Sequence, residues 1–544
     1  MTHRSRMLLA LLAATSLTAC EPQDNTNLWN KFLGFLNGQD ASEVKESLED
    51  KTVKAEPFEG ASTLSGAYLV GRHAQISQDW STAARAFQTF ISSTDKTTED
   101  MVKRTMVLSI GGGDMDTAIA LAQDLKETGK DNTALSQLVL LLKAAKDAKY
   151  DEAQKLLTSM PPSGISEIVR PVLSIWIDQA KGKSEIPQFQ TMNGLTIYHQ
   201  FLAADTAGDI KRLTALASLN LGGLGLGPRS IEQIGDILYR HNLKEQALRE
   251  YEMAVAGQTE LTEIETKIAA IKQKVAIPDE TLMPKVASAT EGLAKALVDM
   301  ATLFYQEGGT DSARLFAQMS LFMEETQEEA HILLAHIAID TGHEDEAIAF
   351  FNSISKDKGN EYILAQRQVA DLYEGQEHYD TAAEVLTKLV KETDSLEAQI
   401  QLGDLYRHRE DYRRSLEAYD KAFTMIEDKD APENWALYYS RGIDLERLGR
   451  FDEAEKDLLK ALSFQPDHPY ILNYLGYSYA DQGIKLDQSL KMIRKAVQLQ
   501  PEDGYITDSL GWVYFRLGEY DNALPYLEKA VELLPYDATV NDHL

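Results

Sequence analysis

The chain of 544 residues holds a single cysteine, Cys20, so an intramolecular disulfide is excluded. Proline is scarce at 15 residues, which leaves long stretches free to be helical. Positive charge is the minority sign. Lys and Arg number 54 against 85 Asp and Glu, for a net charge of −31. That balance excludes nucleic acid, which needs a basic face, and broad contact with anionic lipid heads. Beyond Cys20 there is no run of 18 or more apolar residues, so no membrane-spanning helix is expected there. Signatures of chemistry are also missing. His343-Glu344 has no second histidine four residues after the first, and the other histidines lack ligand spacing. Gly111-Gly112-Gly113 and Leu221 to Pro228 are glycine-rich, but neither has the ending of a phosphate loop, and both read as turns between helices. No cofactor, metal or catalytic group is expected, and the chain is not read as an enzyme.

What is present is 44% apolar and 26% charged, the balance of a globular chain with helix-favouring composition. The first residues have a layout of their own. His3, Arg4 and Arg6 precede the apolar run Met7 to Ala14, which is too short for a mature spanning helix. Small residues follow, as in a secretory signal, and the segment closes Leu17-Thr18-Ala19-Cys20. This resembles the lipobox of bacterial lipoproteins. The resemblance implies a signal peptide over 1–19, cleavage before Cys20 and diacylation of its thiol, which would also remove the only free thiol. Each buried acyl methylene contributes about 0.8 kcal/mol, so two chains suffice as the only membrane anchor. Glu21 stands where inner-membrane retention typically has Asp, so the resemblance implies an outer-membrane, periplasm-facing protein. Residues 20–60 read as a flexible tether carrying the lipidated cysteine, polar and interrupted by Pro22 and Pro57. The apolar patch Leu28 to Leu36 within it has two open readings, on the membrane surface or docked on the folded part.

The second half repeats. Ala301, Ala335, Ala370, Gly403, Gly442, Gly476 and Gly511 follow one another at spacings of 34, 35, 33, 39, 34 and 35. Ala313, Ala347, Ala382, Ser415, Ala454, Ser489 and Ala523 each lie 12 residues after their partners, except Ser489 at 13. Two locked series at a period near 34 match the tetratricopeptide (TPR) repeat, a pair of antiparallel helices A and B. Small residues at its eighth and twentieth positions let the two backbones approach. Large residues fill in around them: Leu402 and Tyr406, Leu475 and Tyr479, Leu510 and Tyr514, with Tyr419, Leu458 and Leu527 on helix B. Pro466, Pro501 and Pro535 stop helix B. The long spacing reflects a connection over Glu427 to Glu433, and an extra residue falls near Ile484 to Leu486. The fold class expected is therefore all-α, a TPR α-solenoid. Residues 61–260 read as degenerate TPR-like repeats, with Gly71/Ala83 and Gly235/Ala247 as the clear pairs, 261–293 as a helical linker, and 294–544 as a C-terminal array. Leu544 falls in mid-helix of a further repeat, so the array is expected to be truncated.

In a TPR superhelix, helix A lines the concave face through positions 2, 5, 9, 12 and 13. These positions hold Asp404, Arg407 and His408; then Tyr439 and Arg447; then Tyr470, Asn473 and Tyr477; then Tyr505, Asp508, Trp512, Phe515 and Arg516. Tyr, Trp and Arg are the residues richest in binding hot spots, and such a groove suits an extended peptide or a helix. For Trp512 and Tyr477 a second reading stays open, packing between adjacent repeats.

The stretch Asn473 to Leu544, with NYLGYSYAD and DSLGWVYFRLG, resembles a family of proteobacterial TPR lipoproteins. The resemblance implies a membrane-anchored scaffold or adaptor in the periplasm. Its protein partners would be a periplasmic carboxyl-terminal processing protease or a peptidoglycan hydrolase. The alternative is a component of outer-membrane or polysaccharide export machinery.

Overall fold

The computed structural model describes residues 63–94, 98–128, 133–161, 164–183, 193–256 and 262–544. The expected signal, Cys20, the tether and its apolar patch lie outside the described residues. Among those described there are helices and no strands. Packing divides the chain after Ser353 into two compact units.

The first unit contains α1 (Leu64–Ile76), α2 (Trp80–Ser92), α3 (Glu99–Gly111), α4 (Met115–Glu127), α5 (Ala134–Lys146), α6 (Tyr150–Ser159), α7 (Ile165–Ala180), α8 (Gly194–Ala207) and α9 (Ile210–Leu216). It continues through α10 (Pro228–Arg240), α11 (Lys244–Val255), α12 (Thr262–Lys272), α13 (Ala289–Gln306), α14 (Thr310–Met323), α15 (Glu328–Asp340) and α16 (Glu344–Asn352). The glycine-rich segments are turns, as expected. Gly113 has a φ of +81° in the α3–α4 turn, and Leu221 to Gly227 connects α9 to α10. Asp114 opens α4 by accepting from Thr117 N at 3.0 Å, an N-cap.

This unit folds back on itself. α14 packs on α3 and α5, and α13 on α7 and α8. Gly292 on α13 lies flat against Trp176 of α7, where a Cβ would fall 2.2 Å from the indole. Arg314 on α14 donates from Nε to the Gly111 carbonyl at 2.7 Å and pairs with Glu346. A polar stripe on α13 completes the seat. Lys295 Nζ donates to Asp299 at 2.6 Å and to Glu329 at 2.8 Å. Asp299 Oδ2 faces His199 Nε2 of α8 at 3.1 Å, while Trp176 Nε1 donates to His199 Nδ1 at 3.1 Å. The tryptophan bond makes Nδ1 the acceptor, so the ring proton sits on Nε2, toward Asp299. One apolar core runs through all of this, from Met106 to Ile337.

The segment expected to be a linker, 261–293, is strapped into the same unit. Lys267 Nζ reaches Asp236 at 2.9 Å and Glu232 at 2.6 Å. Asp236 also accepts from Tyr251 Oη at 2.5 Å and from Met283 N at 2.7 Å. Arg240 donates to the Met283 carbonyl at 2.7 Å, and Thr206 Oγ1 to the Val286 carbonyl at 2.8 Å. The pairs α13–α14 and α15–α16, read from sequence as the opening of the C-terminal array, pack in the first unit. The small-residue count marks a helix pair but not the partner that covers it.

The second unit is serial. It holds α17 (Asn360–Gly375), α18 (Tyr379–Thr393), α19 (Leu396–His408), α20 (Tyr412–Met425), α21 (Trp435–Arg447) and α22 (Phe451–Phe464). After these come α23 (Pro469–Gln482), α24 (Leu486–Leu499), α25 (Gly504–Arg516), α26 (Tyr520–Leu533) and α27 (Ala538–His543). The small-residue ladder works as its spacing predicts. A Cβ on Gly403 would fall 2.4 Å from the Tyr419 ring, and one on Gly511 2.5 Å from Leu527. Ser415 Oγ donates to the Gly403 carbonyl at 2.9 Å, and Ser489 Oγ to that of Gly476 at 2.6 Å. The extra residue near 485 is absorbed by Lys485 in the left-handed region, φ +48°. Its cores are small and local, such as Tyr419, Ala422, Phe423 and Leu437 between one pair and the next.

Asp236→Ala removes one side of a buried ion pair and leaves Lys267 uncompensated, a change that costs roughly 3–5 kcal/mol. Urea unfolding should show that loss, with hydrogen exchange placing it on α10–α12. His199 sets a pH dependence. Burial holds its imidazolium below the usual range, against the pull of Asp299. Below about pH 6.5 the unfolded histidine takes a proton that the folded one does not, so stability present above that pH is lost as pH falls. Thermal unfolding between about pH 7 and 5 should show this fall, and a His199→Gln chain should show less of it.

Candidate protein-binding face

In the second unit the first helices of successive pairs meet along one side. α17 touches α19, α19 touches α21, α23 touches α25, and α25 touches α27. The residues singled out from the sequence all stand on this row, but in three different situations.

His408, Arg447, Tyr470, Tyr505 and Phe515 are exposed, the last three at 49%, 58% and 43%. His408 Nδ1 lies 2.9 Å from Glu374 of the preceding pair. Arg447 has Glu446 at 3.8 Å, with Tyr474 beside it. Tyr470 leans on His468, and Tyr505 Oη donates to Asp537 at 3.2 Å.

Asp404, Arg407, Tyr439, Asn473, Tyr477, Trp512 and Arg516 are half-buried. Tyr419 Oη donates to Asp404 at 2.8 Å, and Arg407 binds the same carboxylate at 3.1 Å and the phenol oxygen at 3.2 Å. Tyr439 stands edge-on to Tyr474 at 6.1 Å, and burial pushes its phenol up to about 12. Asn473 Oδ1 is out of solvent without a hydrogen-bond partner. Burial raises the Tyr477 phenol, with the charges of Asp481 and Asp508 adding to it. Trp512 is sandwiched, with Phe515 stacked at 5.2 Å and His543 at 4.3 Å. Arg516 Nη1 donates to the Asp481 carbonyl at 2.6 Å.

Asp508 is buried. Its Oδ2 meets His543 Nδ1 at 2.8 Å, and its carboxyl is pushed up by burial, which His543 opposes. Two residues outside the sequence expectation, Tyr474 and His543, therefore organise this side. Both stand on a first helix and reach back to the one before. Neither occupies a position counted as groove-lining, so the repeat pattern carried no signal for them. Trp512, Tyr439 and Asp508 are spent on these joints. Arg447, Tyr470, Tyr505 and Phe515 remain open to a partner, flanked by half-buried Asn473 and Tyr477. That is an aromatic and cationic surface of the kind rich in binding hot spots.

Comparison with known proteins agrees with the repeat. Residues 328–354, 369–434, 435–468 and 508–537 match family models described as tetratricopeptide repeat. No curated protein matches the chain. Among solved structures, YrrB, described as a TPR protein with an unusual peptide-binding site, is 20% identical, covering 33% of this chain and 90% of its own at a TM-score of 0.28. MamA from Desulfovibrio magneticus RS-1 is 21% identical over 32% of this chain and 97% of its own, at 0.29. The APC/C hetero-tetramer Cut9-Hcn1 is 13% identical over 83% of this chain and 96% of the matched one, at 0.34.

The two kinds of aromatic separate by experiment. Trp512→Ala should destabilise the second unit by about 2–3 kcal/mol, because it empties a stacked, half-buried site. Tyr505→Ala should stay within about 0.5 kcal/mol, as an exposed substitution does. Urea midpoints of the two variants against wild type check this.

Proposed function

We propose that this chain, a tetratricopeptide-repeat protein and hence a scaffold for protein–protein contact, is a lipid-anchored adaptor of the periplasm. In this reading the thiol of Cys20 carries the acyl chains, and the outer membrane is the site of anchoring. The folded part recruits a protease or a cell-wall hydrolase and performs no catalysis itself.

The observation that carries the scaffold reading is the open row Arg447, Tyr470, Tyr505 and Phe515 along the first helices of the second unit. In the first unit the corresponding helices α3 and α5 are covered by the chain's own α14. The binding role is therefore assigned to the second unit, and support by a packed core to the first. The anchor reading rests on Leu17-Thr18-Ala19-Cys20 after a short basic and apolar segment.

Capture with the full chain from a detergent extract, read by mass spectrometry, should recover a protease or hydrolase. The triple variant Arg447→Ala, Tyr470→Ala, Tyr505→Ala should weaken that capture at least about tenfold, since each hot-spot truncation is worth more than about 1 kcal/mol. Unchanged capture rejects the face. Recovery of porin or polysaccharide machinery favours the export reading instead. Cys20→Ser should move the protein from the membrane to the soluble fraction.

A further inference from the structure

Asp444 stands on α21, at the joint where α21 packs on α20 and α19. It is 0% exposed, and neither carboxyl oxygen has a hydrogen-bond partner. The same place on the other first helices holds Leu372, Leu405, Ser478 and Val513, so an acid here departs from an apolar or hydroxyl position. A buried carboxylate without donors is among the costliest groups a fold can hold.

The surroundings say which protonation state fits. The hydroxyl set toward Asp444 from α20 is that of Ser415, without a hydrogen bond to either carboxyl oxygen. Its one proton already goes to the Gly403 carbonyl at 2.9 Å, so only its lone pairs are left. From α19 the charges of Arg407 and Asp404 reach Asp444 with opposite sign. Arg407 is itself held by Asp404 and Tyr419. α22, on the other side of α21, sets no charge against it, and its Asp457 is tied to Arg441 at 2.7 Å. An ionised Asp444 finds no donor. A protonated one carries no charge and loses far less by standing there out of water.

We infer that Asp444 is held as a neutral carboxylic acid in the joint between the α19–α20 and α21–α22 repeats, and that its ionisation loosens this joint as the medium turns alkaline. In keeping with that geometry, burial pushes the carboxyl up to about 7. The folded acid keeps its proton where the unfolded one has lost it. Its stabilisation is complete below the ordinary aspartate range near 4 and is lost as pH rises through about 7. Asp404 and Arg407 share the joint, so its loosening reaches the open face of the unit.

Hydrogen exchange of the full chain, read by mass spectrometry, tests this at about pH 5.5 and about pH 8.5. Wild type is compared with Asp444→Asn at the same pH, which cancels the chemical exchange rate. For peptides from α19 to α22 the ratio of wild-type to Asp444→Asn exchange should rise by up to about thirtyfold from the lower pH to the higher, because the lower lies about 1.5 units below the midpoint and the effect levels off above it. Equal exchange at both pH values, or faster exchange in Asp444→Asn at both, overturns the inference. An Asp444→Asn chain that does not fold also overturns it, because the amide copies the shape and the donor of the neutral acid.

Discussion

A helix pair in this protein closes because a residue without a side chain meets a large one. Gly403 against Tyr419 and Gly235 against Tyr251 are two cases, and Gly71 against Phe87 and Gly511 against Leu527 repeat them. Any Cβ at the first position would push the helices apart and expose the ring that the pair exists to bury. The contact also organises polar groups. Tyr251 and Tyr419 each donate to the aspartate directly after the glycine, Asp236 and Asp404. In one unit that acid holds Lys267 of the strap; in the other it holds Arg407 on the open face. One steric match thus fixes a ring, the ring fixes a carboxylate, and the carboxylate holds a cation in place.

The two units put the same pair to different ends. In the first, α13 and α14 return to cover helices that a serial array leaves open, and a single core results. In the second, each joint keeps its own small cluster, and the first helices stay accessible along one side. A continuous core unfolds as a block, whereas a serial one opens joint by joint.

Each unit also hides a titratable group in its neutral form. His199 is held neutral by burial, with Trp176 donating to the nitrogen that a second proton would need. Asp444 is neutral because it is wholly buried and no donor reaches either carboxyl oxygen. In both cases burial sets the protonation state, by taking the charged form out of water.

Much of the fold could be read along the chain. The locked small-residue series located the pairs of the second unit, the prolines that end their second helices, and the long connection before Trp435, because a helix pair is a local object whose contacts span about 16 residues, as from Gly403 to Tyr419. The row of candidate side chains was legible for the same reason. Which of them stay exposed was not, since that depends on Tyr474 and His543 reaching back from the next helix. Nor could periodicity announce the return of α14, where Arg314 bonds the carbonyl of Gly111 across 203 residues. The sequence by itself determined the helix pair, its period and the chemistry displayed along it, because those follow from spacing and side-chain volume. Only the tertiary structure decided which pairs close into a common core and which stay open, because contacts between residues far apart depend on how many small packing angles add up along the chain.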